Sequence, residues 1–172
     1  MTTSAKKLCL LGDFSVGKTS LVRRYVHGVF TPDYHATIGV QVYRYRDDIE
    51  IEGGPVTLDQ IIWDIEGSRF GQDLLTNYIL GASGALVIGD LTRDDALASM
   101  ASHARAFLAI LPGRPVVFAL NKADLVAPEQ RADGGALAAE FGGLTLHTSA
   151  ATGEAVPTLF RALGKRILDL GV

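Results

Sequence analysis

Two glycines separated by four residues, Gly12 and Gly17, are followed at once by a cation and a hydroxyl, Lys18 and Thr19. These residue types in this order suit a phosphate chain. The glycines permit a tight backbone path that turns successive N–H groups inward, and a helix starting at the loop directs its positive end at the same anion. Lys18 would reach the β- and γ-phosphates of a nucleotide and the Thr19 hydroxyl would coordinate magnesium. The loop alone does not choose between ATP and GTP. A second motif, Asn121-Lys122-Ala123-Asp124, bears on that choice. An ionised Asp124 can accept from both the ring N–H and the exocyclic amine of guanine, whereas adenine offers no matching donors and would leave the carboxylate unpaired.

The elements around these motifs must place them together. Residues 7–11 form an apolar run that ends at Gly12, and residues 19–26 carry Leu21, Val22, Tyr25 and Val26 at helical spacing, so the loop lies between a strand and a helix. Residues 40–50 alternate, Gly53, Gly54 and Pro55 supply a turn, and residues 56–63 resume as a strand, which predicts an antiparallel hairpin. Short apolar runs at 85–88, 116–120 and 144–146 are separated by helix-length segments at 94–111, 128–141 and 154–168. This alternation predicts an α/β fold, a mainly parallel sheet with helices on both faces, and one domain over residues 1–172. Such a sheet gathers its ligands at the carboxyl ends of its strands, where both motifs fall.

With 172 residues, 48% of them apolar, the chain has enough side chains for one buried core. A formal net charge of −3 gives no broad basic field, so nucleic acid is not expected as a partner. No stretch approaches the roughly 18 to 20 apolar residues that span a bilayer. The single cysteine, Cys9, has no partner for an internal disulfide, which suits a cytoplasmic setting. Residues 167–172 hold no lipid-acceptor cysteine and Thr2 does not fit the myristoylation pattern, so no direct lipid anchor is expected. The histidines, His27, His35, His103 and His147, show no metal-ligand spacing and read as surface or packing residues.

With these motifs in place the sequence resembles the Ras superfamily of small GTPases, most closely the Rab family. Besides the two motifs, the resemblance rests on Thr37-Ile38-Gly39-Val40, Trp63-Asp64-Ile65-Glu66-Gly67, Thr148-Ser149-Ala150 and the segment from Ala151 to Glu154. It implies a small G-domain of the P-loop NTPase class with a six-stranded sheet, and GTP or GDP with Mg2+ as ligands. It implies that Thr37 coordinates magnesium beside Thr19, that Asp64 holds the ion through water, and that the Gly67 N–H touches the γ-phosphate. It further implies that Phe30 stacks near the guanine, that Asn121 and Lys122 shape the base pocket, and that the Ala150 backbone meets the guanine carbonyl. Asp13, Phe14, Ser15, Val16, Ser20, Tyr34 and Ser149 complete the nucleotide-contacting set that it implies. Effectors, an exchange factor and an activating protein are implied at the switch regions, residues 37–42 and 63–78, of a monomer. The alanine- and glycine-rich composition suggests a prokaryotic member.

The chain departs from the Rab pattern where hydrolysis is carried out. A glutamine that orients the attacking water usually follows the glycine of the second switch, and here Ser68 follows Gly67. Serine is too short for that task. Gln72 would serve only on an unusual path of the second switch. Glu66 replaces a small residue and brings a negative charge near the phosphates, and Phe14 replaces another, where its ring either crowds the γ-phosphate or faces outward. Trp63 and Tyr78 match two of the three aromatic residues through which Rab proteins meet effectors, or else pack as core, and Val42 stands at the third place. The expectation is a molecular switch with slow or partner-assisted hydrolysis, catalysed through Lys18, Thr37, Gly67, Ser68 and Gln72. Its rival is a non-hydrolysing guanine-nucleotide-binding scaffold, and a third reading is a module of a longer protein.

Overall fold

The computed structural model describes residues 3–33, 35–67 and 72–172, with side chains from residue 75 onward in the last range. Among these residues six strands form one sheet, β1 (Thr3–Gly12), β2 (Val40–Ile51), β3 (Gly54–Ile65), β4 (Gly84–Asp90), β5 (Val116–Asn121) and β6 (Leu144–His147). Their order is β2-β3-β1-β4-β5-β6, and only the β2–β3 pair is antiparallel. The central strands β4 and β5 are buried along their whole length. This explains their continuous apolar sequence, since a parallel strand with helices on both faces has no wet side.

The two cores follow from strand alternation. In β1, Leu8 and Leu10 point to one side, where α1 (Lys18–His27) and α5 (Val156–Leu170) supply Leu21, Val22, Leu159, Phe160 and Leu163. Cys9 and Leu11 point to the other, under α2 (Gln72–Ile79), α3 (Ala96–Ile110) and α4 (Gly135–Phe141), where Ile79, Met100, Phe107 and Leu137 pack. Burial pushes the Cys9 thiol up to about 12, so this cysteine is an inert packing group.

The expected fold class is present, with one local difference. The segment 128–141 is not one helix but a 3₁₀ turn at Pro128–Gln130 followed by α4. Asp133 accepts the Gly135 N–H at 2.9 Å in a local turn beside two adjacent glycines. Arg131 is drawn instead to the carbonyls of Ala123 at 2.8 Å and Val126 at 3.2 Å, and to Glu154 at 3.0 Å. The break therefore braces the loop that follows β5. The carboxyl ends of β1, β3, β4, β5 and β6 bring Gly12, Asp64, Asp90, Asn121 and the Thr148 segment to one edge of the sheet.

Candidate functional site

The loop from β1 to α1 is fastened from outside at four successive residues. The Asp13 carboxylate turns toward α3, where the Ser99 hydroxyl donates to it and His103 Nε2 lies 2.8 Å away. Arg93 donates to the Phe14 carbonyl at 2.9 Å, Lys122 to the Ser15 carbonyl at 2.8 Å, and the Asn121 amide to the Val16 carbonyl at 2.9 Å. With these carbonyls held outward, the loop N–H groups are left for an anion on the inner side. Gly17 carries φ +101°, and a Cβ there would lie 2.3 Å from Asn121 Nδ2, so only glycine fits between loop and base motif.

Lys18 starts α1 and folds back over the loop, donating to the carbonyls of Gly12 at 3.0 Å and Asp13 at 2.9 Å. Burial lowers its pKa to about 8 against the opposing pull of Asp64 and Asp13. An ammonium this buried, with carbonyls as its hydrogen-bond acceptors, gains strongly from a nearby anion. Gly67 closes over it. A Cβ at residue 67 would sit 2.6 Å from the Asp13 carbonyl and 2.6 Å from Lys18 Nζ.

Three oxygen donors meet beside this lysine. The hydroxyls of Thr19 and Thr37 lie 2.6 Å apart, and Thr19 donates to Asp64 Oδ2 at 2.5 Å. Asp64 is fully buried, burial pushes its carboxyl up, and its Oδ1 has no hydrogen-bond partner among the described residues. An orphaned buried carboxylate oxygen beside two hydroxyls fits a hard divalent cation such as magnesium, which keeps waters and phosphate oxygens for its remaining positions. No cluster of three His, Cys, Asp or Glu side chains suited to a metal occurs among the described residues.

On the other side of the cleft every polar side chain of the base motif already has a protein partner. Thr148 donates to Asn121 Oδ1 at 3.1 Å, Lys122 donates to Asp90 Oδ2 at 2.7 Å, and Ser149 donates to Asp124 Oδ1 at 2.6 Å. Asp124 remains exposed at the cleft, which has room for about 480 Å³, within the range of small-molecule sites. Phe30, Leu125 and Ala150 line it as apolar walls, with Ser20 and Thr37 on the α1 side. Phe14 also lines it and is 47% exposed, which places it at the rim of the cleft.

The structure thus brings together Lys18, Thr19, Thr37, Asp64, Gly67, Asn121, Lys122, Asp124, Ser149 and Ala150. The side chains of Asp13 and Val16 lie outside the cleft, one on α3 and one in the core, so a contact from either residue runs through its backbone. Tyr34 and Ser68 lie outside the described residues, as does the side chain of Gln72, whose backbone begins α2. Trp63 and Tyr78 are both half-buried; Lys7 Nζ sits 3.7 Å over the Trp63 ring and donates to the Tyr78 carbonyl at 2.6 Å. Sequence reasoning missed Ser99, Arg93 and Asp90. Of these only Asp90 carries a sequence signal, a carboxylate ending an apolar run.

Residues 7–169 match the family model described as the Ras family. The chain belongs to the Ras family. Among curated Ras-family proteins it is 35% identical to the GTP-binding protein ypt5 of Schizosaccharomyces pombe, covering 97% of this chain and 80% of that protein. It is 34% identical to the Ras-related protein Rab-8B of Dictyostelium discoideum, with 94% and 79% covered. The Ras-related protein Rab5A of Oryza sativa is 32% identical, with 95% and 80% covered. These likenesses make the chain a Rab-like small GTPase of the Ras superfamily. Among its described residues no helix is long and apolar enough to cross a membrane.

Proposed function

We propose that this protein is a Rab-like switch that binds GTP and GDP with magnesium and hydrolyses GTP slowly or with help from a partner. The observation that carries the reading is the meeting, in one cleft, of a fastened phosphate loop and a pinned Asp124, with the orphaned Asp64 oxygen buried directly behind the Thr19 and Thr37 hydroxyls that line it. In this reading the N–H groups of residues 13–20 cradle the phosphates and Lys18 pairs with the β- and γ-phosphates. Asp124, held by Ser149, accepts from the guanine ring, Phe30 covers the base, and the Ala150 N–H meets the guanine carbonyl. Thr19 and Thr37 hold the magnesium, with Asp64 acting through water. The ion's contribution is to neutralise charge on the β- and γ-oxygens.

Hydrolysis joins a water oxygen to the γ-phosphorus, breaks the bond to the bridging oxygen, and delivers the water's proton to phosphate or solvent. Orienting that water needs a side chain of some reach, which Ser68 lacks, so the proposed unassisted rate lies at or below the ~10⁻⁴ per second of Ras-like proteins. The Gly67 N–H and Thr37 then lose their anchor when the γ-phosphate leaves, and surface residues such as Ile38, which is 88% exposed, present the two states to effectors and regulators. One domain and a monomer complete the proposal. The rival reading, in which the protein holds guanine nucleotide without turning it over, rests on Ser68 standing where the glutamine is expected.

The test is single-turnover hydrolysis by protein reloaded with GTP and magnesium, compared with Ser68→Gln, alongside binding of GTP and ATP. Strong preference for GTP, slow turnover and at least tenfold acceleration by the glutamine support the proposal. Equal affinity for ATP overturns it. A wild-type rate well above 10⁻³ per second overturns slow hydrolysis, and zero turnover in both proteins favours the non-hydrolysing reading.

A further inference from the structure

Glu66 adds a side-chain hydrogen bond between two segments that run on from the paired ends of β2 and β3. Its N–H donates to the Gly39 carbonyl at 2.9 Å, and its carboxylate accepts the Gly39 N–H at 2.7 Å. Gly39 lies two residues beyond Thr37, whose hydroxyl meets Thr19, and Thr19 donates to Asp64, two residues before Glu66. Four hydrogen bonds and two short stretches of chain therefore close a ring made only of protein atoms. One residue further on, Gly67 rests against the Asp13 carbonyl and Lys18 with no space for a methyl group.

We propose that Glu66 is a positioning residue that couples the two switch segments, so that displacing Gly67 from the phosphate loop is carried through Gly39 to Thr37 and the metal corner. The geometry gives the reason. Gly67 follows Glu66 directly, so displacing Gly67 from Lys18 pulls on the backbone that carries the carboxylate holding the Gly39 N–H. A small side chain at residue 66 would leave only the backbone bond from residue 66 to Gly39. The carboxylate supplies a hydrogen bond to a charged acceptor, about twice as strong as a neutral one. The two segments then have fewer independent states, and a change at the γ-phosphate contact of one becomes a change in both. The functional meaning rests on the proposed switch, although the contact itself does not.

Amide hydrogen exchange at Gly39 and Thr37, followed by NMR in the full chain, tests this coupling. Gly67→Ala drives residue 67 off the loop, because its methyl cannot fit there. In the wild-type background it should speed Gly39 exchange at least tenfold. Glu66→Ala should produce a similar rise by itself, and adding Gly67→Ala to it should change the rate less than threefold. Glu66→Gln keeps an acceptor, so it should stay within about threefold of wild type and still respond to Gly67→Ala, which a general loss of stability would not allow. If Gly67→Ala multiplies the rate equally with and without Glu66, or leaves Gly39 unchanged, the coupling is refuted. The ring contains no nucleotide atom, so the comparison is made both nucleotide-free and with GDP and magnesium. Failure to bind GDP would count against the proposed function while leaving the nucleotide-free result decisive for Glu66.

Discussion

The two sides of the cleft are built on opposite principles. On the base side, Asn121, Lys122 and Asp124 are each fixed by a neighbouring side chain or carbonyl, and the strand ends that carry them lie in the buried sheet. On the metal and switch side, Thr19, Thr37 and Asp64 are hydrogen-bonded to one another among the described residues, and residues 28–33 and 35–39 form neither helix nor strand. A preorganised side spends little ordering entropy on binding and so can be selective. A side whose groups await a ligand changes when the ligand changes, which is what a switch requires.

The strongest way to break this contrast is to remove Asp124. Asp124→Ala should weaken GDP about 100-fold or more while leaving ATP affinity within a few-fold, read by competition binding. Equal losses for both nucleotides would show that the pinned side does not select. Next, on the responsive side, Thr37→Ala should weaken a GTP analogue about tenfold and GDP less than threefold in the presence of magnesium. Chelating the ion should erase that difference.

Fastening of the loop sharpens the comparison further. Ser99→Ala with His103→Ala frees the Asp13 carboxylate and should speed GDP release about tenfold, at a stability cost of about 1 to 2 kcal/mol. The smallest effect is expected far from the cleft. Arg161 pairs with Asp47 at 2.8 Å, and Tyr25 donates to the same carboxylate at 2.9 Å. Burial would raise the Asp47 pKa, but the bonds from Arg161 and Tyr25 outweigh it and hold the carboxyl below its usual value. Its stabilising contribution is therefore full above about pH 4 and is lost as pH falls through the lowered value. Arg161→Ala should cost less than about 1 kcal/mol at neutral pH, because the arginine is largely exposed, and should move acid unfolding to higher pH.

What the sequence made legible was local. Gly12 to Thr19 and Asn121 to Asp124 are contiguous patterns whose chemistry follows from residue order, and the buried strands announce themselves by unbroken apolar runs. The fasteners of the loop were not legible. Ser99 and His103 lie 86 and 90 residues from Asp13, and Arg93 lies 79 from Phe14, so no spacing links them. His103 reads in sequence as a surface residue because its partner is supplied only by the packing of α3 against the loop. The break at residue 133 escaped for a related reason, since the apolar spacing there suits a helix and only the Asp133 turn and the pull on Arg131 interrupt it. Glu66 was visible as a departure from the Rab pattern, but its acceptor role toward Gly39 required the hairpin to bring the two together.

The most direct test is amide exchange by mass spectrometry across the whole chain, comparing the GDP form with a form bound to a non-hydrolysable GTP analogue, both with magnesium. The account predicts that peptides covering 121–125 and 148–151 agree within about threefold between the two states, while those covering 29–40 and 64–67 differ by at least tenfold. Equal change in both regions, or none in either, would contradict the division of the cleft into a selecting side and a switching side.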